Sequence, residues 1–301
     1  MKKMFMAVIA LMMTITASAQ FYIYFSDGTV AKVDSISMIA PVEPEPVQGL
    51  FSVSSSKQVT FSPGNLQYTQ STDTWSFASA QWEMLGTDNV IGGNVSLGNL
   101  GYEKEGTALA AKIDLFGWST STTNFGVSTS MDNSDYSGSF VDWGTNQIGN
   151  DAPNTWRTLT YDEWSYLLNN RNNAASLRGV AQVNGVNGLI FLPDNWTCPA
   201  DVTFKSGFHS NYGTEYYADY QTFTIDQWAK LEKSGAVFLP AAGDREGTEI
   251  SNVQYFTIYW SATPEFVYSE AYYFVCMSDV ADMDFSNRFR ALSVRLVKDI
   301  K

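Results

Sequence analysis

The 301-residue sequence has a single histidine, His209, and only two cysteines, Cys198 and Cys276. A histidine-based triad or zinc centre would have to be assembled around His209, and Cys198, in Asn195-Trp-Thr-Cys-Pro199, is not at a ligand spacing from it. His209 therefore reads as a loop side chain. Two cysteines cannot build a disulfide scaffold, and a chain of this length buries a sizeable core without one. One Cys198–Cys276 bond and two separate thiols both fit. Positive charge is scarce: 18 Lys and Arg stand against 31 Asp and Glu, a formal charge of −13. Such a chain repels a phosphate backbone, and no basic run offsets the repulsion, which argues against nucleic acid and anionic membranes as partners. Solubility accounts for the acidity itself. The apolar stretch at residues 4–13 is too short to span a bilayer.

That stretch has another use. Lys2 and Lys3 precede it and Ala17-Ser-Ala19 follows it, so residues 1–19 read as a secretory signal peptide. Export is expected, to the periplasm or the cell surface, with the mature chain starting at Gln20. No cysteine follows the apolar stretch, so a lipid anchor is not indicated. Residues 20–40 predict a β-hairpin: Phe21-Tyr-Ile-Tyr-Phe25 and Val30-Ala-Lys-Val33 flank Asp27-Gly28, a pair suited to a two-residue type I′ turn. Residues 34–39 add a third short strand. Residues 41–49, Pro41-Val-Glu-Pro-Glu-Pro-Val-Gln-Gly49, read as a stiff linker.

From Leu50 to the end the pattern predicts one α+β domain over residues 50–301, with mainly antiparallel sheets and two capped helices. Short alternating runs at 51–53, 58–61, 65–68 and 74–77 read as strands. In Thr160-Tyr-Asp-Glu163 and Thr224-Ile-Asp-Gln227 the threonine caps a helix and the Glu or Gln reaches back, with Leu159/Trp164 and Phe223/Trp228 as hydrophobic staples. Trp164 and Trp228 read as core anchors. Strands ending in Phe-Leu-Pro follow both helices, at residues 190–193 and 237–240. The Gly-, Ser- and Asn-rich stretches 86–101 and 117–155 read as long loops, functional or mobile.

The C-terminal part carries three apolar runs, at 259–263, 271–276 and 287–297, separated by polar segments that read as exposed loops. Trp260, Phe274 and Val275 belong to the core. The expected contact surface is Tyr259, Ser261, Thr263, Glu265, Tyr268, Tyr272, Asp282, Asp284, Asn287 and Arg288. Tyrosine offers a rigid contact area at little entropic cost, and such a surface suits a protein or a glycan ligand.

The motifs Val59-Thr-Phe-Ser-Pro-Gly-Asn-Leu-Gln-Tyr68, Trp156-Arg-Thr-Leu-Thr-Tyr-Asp-Glu-Trp164, Gly185-Val-Asn-Gly-Leu-Ile-Phe-Leu-Pro-Asp-Asn-Trp196, Gly235-Ala-Val-Phe-Leu-Pro-Ala-Ala-Gly243, Tyr259-Trp-Ser-Ala-Thr263 and Ser293-Val-Arg-Leu-Val297 occur in that order. In this the chain resembles secreted proteins of Bacteroidetes-type bacteria with a C-type-lectin-like fold, near the formylglycine-generating-enzyme-like branch. The resemblance implies a C-type-lectin-like domain and a non-enzymatic recognition or adhesion role. In several proteins of that branch the C-terminal segment is diversified by retroelements that mutate adenine-containing codons, and the corresponding stretch here is 255–290. Two departures limit the likeness. The calcium-site motifs of sugar-binding C-type lectins are absent, and Cys276 lacks the close cysteine partner of the sulfatase-activating enzymes.

Two other readings stand beside recognition. Glycosidases need only two carboxylates, and Asp244 and Glu246, flanking Arg245 in a Gly-bounded loop, are the first candidates for a glycan-active enzyme; Asp279, Asp282 and Asp284 cluster later. The N-terminal hairpin edge could serve a structural subunit of a surface assembly. No cofactor is expected, although the oxygens of Asp132, Asn133, Asp135 and Asp142 could ligate calcium.

Overall fold

The computed structural model describes residues 49–86, 112–123, 125–266 and 269–300, together with the backbone of two strands, Phe21–Tyr24 and Val30–Val33. The expected signal peptide, the third strand at 34–39, nearly all of the linker and most of the loop at 86–101 lie outside the described residues. The chain divides into two units, Met1–Val42 and Glu43–Lys301.

In the first unit the two strands pair antiparallel, Phe21 with Val33 and Tyr24 with Val30. This register centres on Asp27, whereas a two-residue Asp27-Gly28 turn would centre it between the two residues. The two strands expected of the hairpin are paired, in a register other than the one that turn requires, and residues 25–29 between them lie outside the described residues.

The second unit is a mixed α+β structure, rich in short strands and mostly antiparallel. A five-stranded sheet runs in the order Ala281–Asn287, Glu270–Cys276, Thr257–Pro264, Leu292–Ser293, Leu115–Phe116. Side chains alternate between the faces of a strand, and along Glu270–Cys276 and the first half of Thr257–Pro264 both faces are covered. Tyr259, Phe274 and Cys276 point into one core with Trp164, Leu189 and Phe191. Ile258, Trp260, Tyr273 and Val275 point into a second with Trp118, Trp143 and Leu292. A four-stranded sheet, ordered Thr222–Phe223, Arg178–Val183, Val186–Phe191, Val237–Pro240, closes the first core. Its far face, with Ile190 and Phe238, packs on Trp228 and Leu231 of the helix Ile225–Lys233.

Both capping boxes form as the sequence predicts. Thr160 Oγ1 accepts from Glu163 N–H and Glu163 reaches back to Thr160 N–H, and Thr224 and Gln227 do the same. Trp164 is fully buried, its ring stacked on Phe274 at 5.1 Å and 13°. A third helix, Glu215–Tyr220, was not legible: it has no side-chain cap, and one buried residue, Tyr217, ties it down by donating to Tyr255 O (2.9 Å). The Gly/Ser-rich stretch 117–155 is a packed layer rather than a loose loop. Trp118, Tyr136, Trp143 and Ile148 are buried in it, and Trp143 Nε1 donates to Phe125 O (2.7 Å).

The neighbour of Glu270–Cys276 is the segment Ala281–Asn287, which reads as a polar loop but forms a seven-residue strand. The third apolar run divides instead: Leu292–Ser293 joins the far side of the sheet, and Val297–Asp299 pairs with Gln58–Phe61 in another.

Candidate functional site

The strand Thr257–Pro264 is regular up to Trp260, and its register then shifts between Trp260 and Pro264. Ser261 Oγ donates to Tyr272 O (2.8 Å), and Ala262 N–H turns away to Leu159 O (2.8 Å). Thr263 Oγ1 accepts from Tyr161 N–H at the start of the first helix (3.0 Å). The irregularity thus locks the helix onto this end of the sheet.

A row of aromatics follows from that arrangement. The Tyr161 ring lies 4.7 Å from Tyr272, and Tyr272 lies 6.0 Å from Phe285 on the neighbouring strand, edge-on at 78°. Phe285 is 47% exposed, and Phe266, in the connection from Thr257–Pro264 to Glu270–Cys276, is 94% exposed. Tyr272 hydrogen-bonds Glu265; partial burial and then the Glu265 charge hold its phenol above the ordinary tyrosine value.

The other face of the outer strand is acidic. Asp282 and Asp284 are exposed, opposite Val275 and Tyr273. Tyr273 Oη donates to Asp284 Oδ2 (3.2 Å), and burial first and the Asp284 charge second push its phenol up to about 12. The Arg290 guanidinium sits 5.8 Å from the Tyr273 ring and 3.0 Å from Asp244. Asp244 belongs to a short hairpin, Asp244–Glu246 with Glu249–Ser251, not to a loop. Residues two apart on a strand share a face, so Asp244 and Glu246 both line an open groove of about 410 Å³, with Glu249, Ser251, Asn252 and Arg290. Gly243 makes the entry possible: its φ is +72°, and a Cβ there would meet Ser251 O at 2.1 Å. Arg245 points away, donating to Gly247 O (2.6 Å). Burial lowers its pKa to about 10.

The expected contact residues do not form one surface. Tyr259 and Ser261 are 0% exposed, so neither reaches a partner. Tyr259 Oη donates to Asn65 Oδ1 (3.0 Å), and burial pushes the phenol up. Arg288 is 5% exposed. Its guanidinium covers the Trp118 ring at 4.3 Å and donates to the backbone oxygens of Glu270, Tyr136 and Gly138 (3.1–3.4 Å), so it is a structural clamp. Asn287 is half-buried and accepts from Asn133 Nδ2 (3.0 Å). Tyr268 lies outside the described residues. Thr263, Glu265 and Tyr272 gather at the aromatic end, and Asp282 and Asp284 lie on the opposite face. The sequence reading missed Tyr161, Phe266, Phe285, Glu249, Asn252 and Arg290. The alternation Ala281, Met283, Phe285 was the available signal, masked by the aspartates between them.

Of the side chains considered for calcium, the three aspartates accept hydrogen bonds from the protein itself, whereas Asn133 Oδ1 is buried without a partner. Asp132 accepts from Ser134 N–H (2.9 Å), Asp135 from Ser130 Oγ (2.5 Å), and Asp142 from Gly144 N–H and Thr158 N–H (2.9 Å each). Among the described residues no group of three or more His, Cys, Asp or Glu is placed to hold a metal ion. Cys198 and Cys276 are both free, Cys198 exposed and Cys276 buried. His209 stacks on Tyr216 at 4.7 Å. Among the described residues no helix is long and apolar enough to cross a membrane. No protein-family model, no curated protein and no solved structure matches the chain.

Proposed function

We propose that the protein is an exported, non-enzymatic recognition protein of C-type-lectin-like type, which contacts a protein or glycan through the outer end of its five-stranded sheet. The observation that carries this reading is the aromatic row Tyr161, Tyr272 and Phe285, together with the almost fully exposed Phe266 in the connection that leads into the Tyr272 strand. Exposed aromatics over a polar rim favour a partner, because their burial releases water at little entropic cost. The residues assigned to contact are Tyr161, Glu265, Phe266, Tyr272 and Phe285; Tyr259, Ser261 and Arg288 are removed. Diversification by a retroelement remains part of the proposal, restricted to outward positions of 255–290, because the buried ones hold two cores together. The test is a glycan array and a surface-protein panel. Binding should weaken at least about tenfold in Tyr272→Ala/Phe285→Ala, with the melting temperature nearly unchanged. Unaltered affinity in that variant removes the assignment.

A second reading is favoured by the groove at Asp244, Glu246 and Glu249, where acidic groups gather over an open cavity. It makes the protein a glycan-active hydrolase. Asp244 is already engaged by Arg290 Nε (3.0 Å) and Asn252 Nδ2 (2.6 Å), which suits a carboxylate that holds its neighbours in place. Turnover of a polysaccharide that vanishes in Asp244→Asn or Glu246→Gln would favour this reading over the first.

A further inference from the structure

The strand Ala281–Asn287 is the terminal strand of its sheet. The direction of its backbone groups follows from the bonds at its two ends. Met277 N–H donates to Val280 O (2.8 Å) and Arg288 N–H to Ser269 O (2.9 Å), both in register with the ladder between them. Backbone groups alternate along an antiparallel pair. Asp282, Asp284 and Ser286 therefore turn theirs inward, to Val275, Tyr273 and Ala271. Ala281, Met283, Phe285 and Asn287 turn theirs outward, along an edge that no strand of the described residues covers.

Two of those outward donors are masked. Met283 N–H donates to Asp282 Oδ1 (2.8 Å), and Phe285 N–H to Asp284 Oδ1 (2.9 Å). Each aspartate folds over the edge from its own face and places a negative charge on it. An open edge invites pairing with any extended chain, and charge is a common guard against this. Here the guard is selective. A second copy pairing antiparallel over the full length of Ala281–Asn287 would set Asp284 opposite Asp284, and like charges directly opposite repel. Acidic and uncharged strands gain nothing for displacing the two carboxylates. A strand with Lys or Arg beside them replaces each lost carboxylate bond by an ion pair.

We propose that the outer edge of Ala281–Asn287 is a strand-addition site for an extended peptide segment of alternating basic and apolar residues, selected by Asp282 and Asp284. Main-chain hydrogen bonds from Met283 and Phe285 supply the pairing, as in other sheet-edge recognition. The partner's basic side chains lie on the aspartate face, and its apolar ones lie on the face of Met283 and Phe285. This deepens the recognition reading by giving the partner a chemistry, and the two fail by different results: Tyr272→Ala tests the aromatic row and leaves the edge intact.

The experiment uses the full chain and three synthetic heptapeptides. One alternates Lys and Val, one alternates Glu and Val, and one repeats the first with proline at the central valine, which removes a main-chain donor. Binding is followed by fluorescence anisotropy, and edge occupancy by hydrogen exchange at the Met283 and Phe285 amides. The Lys peptide should bind about tenfold or more tightly than the Glu peptide, weaken as salt rises, and slow exchange at both amides. The proline peptide should lose the protection. In Asp282→Asn/Asp284→Asn, whose side chains still accept the same N–H groups, the preference for Lys over Glu should disappear. Equal binding by the proline peptide, unchanged charge preference in the double variant, or no amide protection by the Lys peptide at millimolar concentration would each overturn the proposal.

Discussion

Replacing Glu163 by Gln is expected to destabilise the protein far more than removing the matching residue of the other capping box, Gln227. Glu163 accepts from Arg157 Nη1 (2.6 Å) and Nη2 (2.8 Å), from Lys57 Nζ (3.1 Å) and from Thr160 N–H (3.0 Å), and its side chain is 11% exposed. Arg157 also holds Asp299 at 2.7 Å, so Glu163 ties the first helix to the N- and C-terminal strands of the unit. Breaking a buried pair costs about 3–5 kcal/mol and an exposed one about 0–1 kcal/mol. With Glu163 mostly covered and Arg157 23% exposed, about 2–3 kcal/mol is expected, a fall of about 4–6 °C in Tm for a unit of this size. Gln227→Ala removes one exposed cap contact and costs about 0.5–1 kcal/mol. The pH dependence separates charge from packing. Burial alone would raise the Glu163 pKa, but Arg157 and the Thr160 N–H outweigh it and hold the carboxyl below its ordinary value. A depressed carboxylate contributes stability that is present above its unfolded pKa, about 4.3, and is lost as pH falls through the folded value. The stability difference between wild type and Glu163→Gln, from urea unfolding at successive pH values, should be constant from pH 7 to about 5 and shrink below that. A difference under about 1 kcal/mol at pH 7, or one that persists unchanged to pH 3, refutes the reasoning.

Trp164→Ala should cost about 3–5 kcal/mol in urea unfolding, because the ring is fully buried and stacked on Phe274. Arg288→Ala should cost about 2 kcal/mol through its lost carbonyl bonds, whereas Tyr272→Ala should stay within about 1 kcal/mol; the reverse order in thermal melts would contradict the burial of Arg288. One thiol, Cys198, should react promptly with a disulfide reagent in the native protein. Cys276, buried and with its pKa pushed up by burial, should react only as the chain unfolds.

Local chemistry was legible from the residues alone. Both capping boxes lie where Thr160-Tyr-Asp-Glu163 and Thr224-Ile-Asp-Gln227 place them, because a cap needs only four neighbouring residues. The strands Gln58–Phe61 and Thr74–Phe77 and the burial of Trp164, Trp228 and Trp260 follow equally from near neighbours and hydrophobic size. What depends on partners distant in the chain was not legible. Tyr259 and Tyr272 look alike in sequence, yet one lies under Asn65 and the other at the open end beyond Tyr161, because strand alternation assigns a face and not how far the cover extends. Ala281–Asn287 has the composition of a loop. Its pairing with Glu270–Cys276 outweighs the low strand preference of Asp, since tertiary pairing routinely overrides propensity. The groove of Asp244, Glu246, Glu249 and Arg290 exists only once a hairpin and a later segment converge, and no spacing along the chain encodes that meeting.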